Sequence, residues 1–218
     1  MKDVQEKFKL AEPKLLRGIE DNALKIRTIG DEDTFSDACV VDCCIEGQEA
    51  AHVCFDGVIM RGVDFNGIIL NGAELTDVIL EYCYLSNAYL SGAIIHRTEF
   101  IDCKLVGLKL NDAALQNVLF SGCNGRFAMM SYGKLKKVIF RDSNFESGSL
   151  QSNRFEKVMF ENCNLRLCQL SGTSLAGMDL SSSELEGVCI QPEDLRGVMV
   201  APMQAADLSR LLGLVIKE

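Results

Sequence analysis

Cys39, Cys43, Cys44 and His52 place four potential metal ligands in one short stretch, and thiolates with an imidazole would suit zinc. Their spacing argues against that use. No C-x-x-C pair is present, and adjacent Cys43 and Cys44 would point apart in extended chain, so these cysteines read as structural. Ser131-Tyr132-Gly133-Lys134 spells S-x-x-K, a nucleophile–lysine pairing, but neither S-D-N nor K-T-G accompanies it. No phosphate-cradling glycine loop and no H-E-x-x-H occurs. The expectation is therefore a protein that is not an enzyme, with no catalytic residues, no metal and no cofactor.

The chain's charge bounds its partners. Its 218 residues carry 22 basic and 31 acidic side chains, a net charge of −9. A nucleic-acid binder gains affinity by neutralising phosphates with Lys and Arg, so direct nucleic-acid contact is not expected. An acidic protein suits a basic partner surface instead. Met1 to Gly18 is rich in Lys and Glu and lacks the apolar core of a secretory signal, and no stretch approaches ~18 uninterrupted apolar residues. The expected setting is the cytoplasm, off the membrane, with the 10 cysteines reduced.

What must position any functional surface is a repeat of five. Every fifth residue from Phe55 is large and apolar: Met60, Phe65, Leu70, Leu75, Leu80 and onward to Val200, with the single failure at Gly125 and no insertion. A helix would repeat at 3.6 and a strand at 2. Two residues before each large residue sits a smaller one, such as Ala73, Cys83, Ala88 or Cys103. A second period of twenty sorts Phe100, Phe120, Phe140 and Phe160 into one column and Cys83, Cys103, Cys123 and Cys163 into another. Positions n and n+20 must then stack, four units to a coil, in an all-β solenoid of square section. Residues 53–202 hold thirty units, or seven and a half coils, roughly 36 Å at about 4.8 Å per coil.

These residues resemble the pentapeptide repeat proteins, whose unit reads A(D/N)LXX; Ala73-Glu74-Leu75 and Ser183-Glu184-Leu185 are close matches. The resemblance implies a right-handed quadrilateral β-helix. The tail from Val200 to Ile216 looks like that of the Qnr-type quinolone-resistance subfamily, particularly of Gram-positive bacteria. That likeness implies a cytoplasmic homodimer that binds DNA gyrase or topoisomerase IV by imitating a DNA duplex, protecting them from quinolones or limiting their access to DNA. The alternative is a pentapeptide scaffold for some other protein partner. Members with coil-interrupting loops are known, but the unbroken register from 55 to 200 predicts none here.

The chain divides by this pattern into an N-terminal helix or cap over 1–50, the repeat solenoid over 51–201, and a C-terminal helix and strand over 202–218. Pro13 can open a helix with Leu15, Leu16 and Ile19 on one side. Phe35, Val40 and Ile45 keep the five-residue phase, whereas 46–50 loses it, so 34–50 reads as a degenerate first coil. Pro202 suits a first helical turn and Gly213 a helix end. Leu208, Leu211 and Leu212 form an apolar stripe and Leu214-Val215-Ile216 reads as a short strand. Leu208, Leu211, Leu212, Leu214 and Ile216 are the expected dimer contacts, since isologous dimers are the commonest oligomer. At Gly125, Phe127 is expected to turn inward and fill the gap.

Charge is uneven around the coil. The face of the Phe column carries Glu81, Glu99, Asp102, Asp142, Glu161 and Asp179 against Arg61 and Arg141, a sum of 2 − 6 = −4. This is the candidate partner-binding face. Another face carries Lys134, Lys136, Lys137, Arg154 and Lys157, a basic patch.

Overall fold

The period of twenty is realised residue for residue. In the computed structural model, which describes residues 8–215, Phe100, Phe120, Phe140 and Phe160 are direct register partners of one another, as are Val118, Val138 and Val158. All strand pairings are parallel. The first coils use short strands: β1 (Ala23–Leu24), β2 (Thr34–Ser36), β3 (Cys39–Val41), β4 (Glu49–Ala51), β5 (Cys54–Asp56), β6 (Ile59–Arg61) and β7 (Ile69–Asn71). Five longer strands follow, β8 (Glu74–Glu81), β9 (Ile94–Ile101), β10 (Ala114–Ser121), β11 (Lys134–Arg141) and β12 (Arg154–Glu161). Each long strand spans two sides of the square. The other two sides are single rungs, such as Asn124↔Asn144↔Asn164 and Met129↔Ser149↔Gln169.

Three local devices turn the corners. Two corners per coil close with a backbone turn, as where Ala88 N–H donates to Leu85 O at 3.1 Å and Ala93 N–H to Leu90 O at 3.2 Å. The second device is backbone hand: residues two after the inward large residue take positive φ, from Asp37 through Leu167 and Gly197. Asn, Asp and Gly are common there because they enter this region at least cost. Third, an Asn or Asp just before the large residue accepts from the backbone N–H two positions on. Asn144 Oδ1 receives Glu146 N–H at 2.9 Å, and Asn164 Oδ1 receives Arg166 N–H at 3.0 Å.

The axis is filled by the large and small inward residues. Neighbouring rings of the Phe column stack with centroids 4.7, 5.0 and 4.7 Å apart. Each such contact contributes about 0.5–1.5 kcal/mol beyond area burial. Some of the polar residues that enter form a ladder in which each satisfies the next. Asn153 Oδ1 accepts from Gly133 N–H, Thr173 Oγ1 accepts from Asn153 N–H, and Thr173 Oγ1 donates to Leu150 O.

Four expectations are corrected. Phe127 does not fill the gap at Gly125; it is 51% exposed. Phe145, from the next coil, fills it. A Cβ on Gly125 would lie 2.4 Å from Phe145 Cε1. Residues 46–50 keep the phase, since Ala50 is buried and pairs with Leu70. No α-helix starts at Pro13. The chain there is irregular until a 3-10 turn over Ile19–Asp21, because its backbone bonds to the solenoid instead: Ala11 N–H donates to Asn117 Oδ1 and Lys14 N–H to Asp77 Oδ1. At the other end, α1 (Pro202–Ser209) runs into a 3-10 turn over Arg210–Leu212, capped by Gly213 at φ 75°. Leu214 and Val215 form no strand, and Ile216 lies outside the described residues.

Candidate functional site

A solenoid fills its own axis with side chains, so function must be sought on its faces and ends. The would-be ligand set at the N-terminal coil does not converge. Cys39 packs with Ile19 and Ile59, Cys43 enters the main core, and Cys44 is exposed. Among the described residues, the group of three donors that comes together is Cys44, Glu46 and Asp64. Asp64 Oδ1 there already accepts from Asn66 N–H. Ser131 is buried with its hydroxyl 2.8 Å from Ser149 Oγ, while Lys134 is exposed on the next side of the coil. All 10 cysteines are free thiols, and burial pushes Cys163 up to about 11 and Cys168 up to about 12.

The six carboxylates predicted on the Phe-column face do share that face, but they differ in state. Glu81 Oε2 pairs with Arg61 Nε at 2.5 Å, and Arg61 also reaches Glu20 at 2.7 Å. Glu161 pairs with Arg141 at 2.8 Å. Glu99 is partly buried; burial first, then the nearby Glu12 and Glu81, raise its carboxyl above the ordinary range. Asp142 Oδ1 accepts from Asn162 Nδ2 at 3.1 Å. Asp179 accepts from Ser181 Oγ at 2.6 Å and from its N–H, which lowers its carboxyl. Asp102, Asp142 and Asp179 have no cationic partner among the described residues. Glu99 with Asp102, then Asp142, then Asp179 fall on alternate coils, roughly 10 Å apart along the axis.

Sequence reasoning missed the pairing, although its signal was in hand. Arg61–Glu81, Asp77–Arg97, Arg126–Glu146, Lys136–Glu156, Arg141–Glu161 and Arg166–Glu186 are ion pairs between residues twenty apart. The offset that stacks the rings also stacks these charges. Outward columns are mixed as well. Ile59 and Ile139 are buried and Ile79, Leu119 and Met159 half-buried on this face, so it is apolar between its charges.

The N-terminal segment lies against the same face. Asp77 is its anchor: Arg97 grips the carboxylate through Nε at 2.5 Å and Nη2 at 2.6 Å, and Lys14 N–H adds a bond at 2.8 Å. Burial alone would raise this carboxyl, but Arg97 and the Lys14 amide outweigh it and hold it below the usual range. Next to it, burial and then Arg97 lower His96.

At the far end, Leu208 packs on the last coil with Leu195, Val198 and Val200. Leu211, Leu212 and Leu214 do not bury: they are 39%, 66% and 56% exposed. Leu211 and Leu212, with Leu208, border a shallow apolar groove of about 280 Å³.

Two family models match: one described as pentapeptide repeat region over residues 73–150, the other as pentapeptide repeats in eight copies over 150–191. No curated protein matches the sequence. Among solved structures, the chain is similar to HetL of the cyanobacterium Nostoc, a pentapeptide repeat protein involved in heterocyst differentiation regulation. Identity is 17%, covering 78% of this chain and 90% of that one, with a TM-score of 0.52. It is also similar to full-length QnrB1, a plasmid-mediated fluoroquinolone resistance protein, at 18% identity, 88% and 100% coverage and a TM-score of 0.43. A pentapeptide repeat protein of the Arabidopsis thaliana thylakoid lumen is 20% identical over 46% of this chain and 67% of that one, with a TM-score of 0.34. At 17% identity the likeness to HetL is one of fold.

Proposed function

The chain belongs to the pentapeptide repeat family, and we propose that it is a non-catalytic binding rod whose Phe-column face occupies the DNA-binding saddle of DNA gyrase or topoisomerase IV. The observation that carries this reading is the row Glu99/Asp102, Asp142, Asp179 along one side of a straight stack. DNA presents one charge per ~1.7 Å of axis, so an enzyme that grips it must offer a basic surface into which an acidic rod can be steered. The row is sparser than DNA. Its carboxylates can steer and orient the encounter, while the half-buried Leu119 and Met159 between them supply contact area. The C-terminal residues Leu211, Leu212 and Leu214 leave an apolar end that a second copy would cover, giving a two-fold rod twice as long. The reading places the protein in the cytoplasm, where those enzymes act.

A second reading has its own support. Because Arg61 and Arg141 neutralise Glu81 and Glu161, the face is also suited to a mixed, non-DNA-like protein surface, and the rod would then be a scaffold for another partner. Gyrase supercoiling separates the two. The purified protein is expected to inhibit supercoiling, or to restore it in the presence of a quinolone, and Asp102→Lys with Asp142→Lys to abolish the effect without loss of β-structure. No effect at micromolar protein would favour the scaffold. An effect that survives the two reversals would move the contact to another face.

A further inference from the structure

The opposite charge pattern appears on the side of the coil that precedes the Phe-column face. Lys134 and Arg154 are register partners on adjacent rungs, and Lys137 and Lys157 occupy the equivalent corner positions of the same two coils. Elsewhere on the rod, charges twenty apart pair with opposite sign. Here cations stack on cations, about 4.8 Å apart, an arrangement that costs stability. Among the described residues none of these four cations has a carboxylate in ion-pair distance; the nearby Glu156 is taken by Lys136 at 3.0 Å. On a chain of net charge −9, such an unrelieved cluster is a local conflict of the kind that functional surfaces retain.

Beside the cations the wall is dented. Ala114 stands in the column between Ile94 and Lys134, and its short side chain leaves a groove of about 490 Å³ running from Ile94, which is 51% exposed, to Arg154. We propose that this face binds an extended acidic peptide segment carrying a large apolar residue. Its carboxylates would lie over Lys134 and Arg154 and over Lys137 and Lys157, and its apolar side chain over Ala114 against Ile94. Nucleic acid fits less well. Cations fill only two rungs, too few for a polymer that depends on many neutralised phosphates, and the groove's one ring is the His96 imidazole, with no Phe, Tyr or Trp in its lining to stack successive bases.

The test uses the full-length protein and a fluorescein-labelled peptide of about twelve residues made of Glu and Leu, followed by fluorescence anisotropy. Saturable binding is expected, weakening about tenfold between roughly 0.05 and 0.3 M salt. Lys134→Glu with Arg154→Glu is expected to remove it. Should that pair of changes perturb folding, Ala114→Leu, which fills the dent and leaves the charges alone, is expected to weaken binding while keeping the salt dependence. An all-Glu peptide of equal length is expected to bind less tightly. Absence of binding, equal binding by both variants, or tighter binding of a single-stranded oligonucleotide of equal charge would overturn the proposal.

Discussion

Phe145 meets Phe140 edge to face, with ring centroids 5.1 Å apart and planes at 86°, and its ring occupies the space that a side chain at residue 125 would need. It also stands edge-on to Phe120 at 6.2 Å. The one break in the apolar column is therefore compensated from the neighbouring coil, and the two positions form a single packing unit.

That unit predicts a sign for its mutants. Gly125→Ala is expected to destabilise the protein by about 1–3 kcal/mol, because a Cβ in van der Waals conflict with a buried ring is overpacking. Gly125→Leu combined with Phe145→Leu restores the family pattern of one large residue per rung, and is expected to be more stable than Gly125→Leu alone. Urea unfolding of these variants and of Phe145→Leu alone measures this. Additive effects in the double variant would mean the two sites are not one unit.

The Asp77 anchor predicts a response to acid. Its carboxyl is held below the ordinary range in the folded protein, so its contribution is present above the unfolded carboxyl's pKa, about 3.9. It is lost as pH falls through the lower folded value. Residues 8–18 are expected to lose hydrogen-exchange protection at low pH before the solenoid does. Asp77→Ala is expected to produce the same loss at neutral pH, with only the early coils of the Phe-column face, around Ile59 and Glu99, newly exposed to proteolytic footprinting. Equal protection in wild type and variant would show that the Lys14 and Arg97 contacts do not anchor the segment.

How far the structure could be read in advance depends on where each residue's partners lie. Phe100, Phe120 and Phe140 announce their stacking because a fixed offset relates residue to partner. Ala50 occupies a large-residue slot but hides it by its size, which is why the phase reads as lost at 46–50. Leu15 and Leu16 suggest a helix only when considered alone. What decides that segment is Asp77, 63 residues away, and no local pattern encodes it. On the candidate face, Glu81 and Glu161 count as free acids until the twenty-residue offset is applied to Arg61 and Arg141 as well as to the rings.

The C-terminal leucines are expected to separate by role. Leu208 packs on the last coil whereas Leu212 is 66% exposed. If the proposed two-fold contact forms, light scattering should give a dimer for the wild type, and Leu212→Asp with Leu211→Asp should yield monomers at unchanged unfolding midpoint in dilute protein. Leu208→Asp should lower stability even in the monomer, by about 1–3 kcal/mol for a charge forced against an apolar surface. A Leu211/Leu212 variant that remains dimeric would place the two-fold contact elsewhere.

Backbone hand at the corners gives the last prediction. Leu167 adopts φ 57°, in a column of positive-φ positions otherwise held largely by Asn, Asp and Gly, and its side chain is 52% exposed. A branched apolar residue there carries a steric cost that Asn largely escapes. Leu167→Asn is therefore expected to raise stability by about 0.5–1 kcal/mol, offset in part by lost cover over Gly187, near which the Leu167 side chain lies. Leu167→Ala loses the same cover without the conformational gain and should be neutral or destabilising. Thermal unfolding of the two variants distinguishes them. If Ala stabilises as much as Asn, relief of apolar exposure rather than of backbone strain governs these corners.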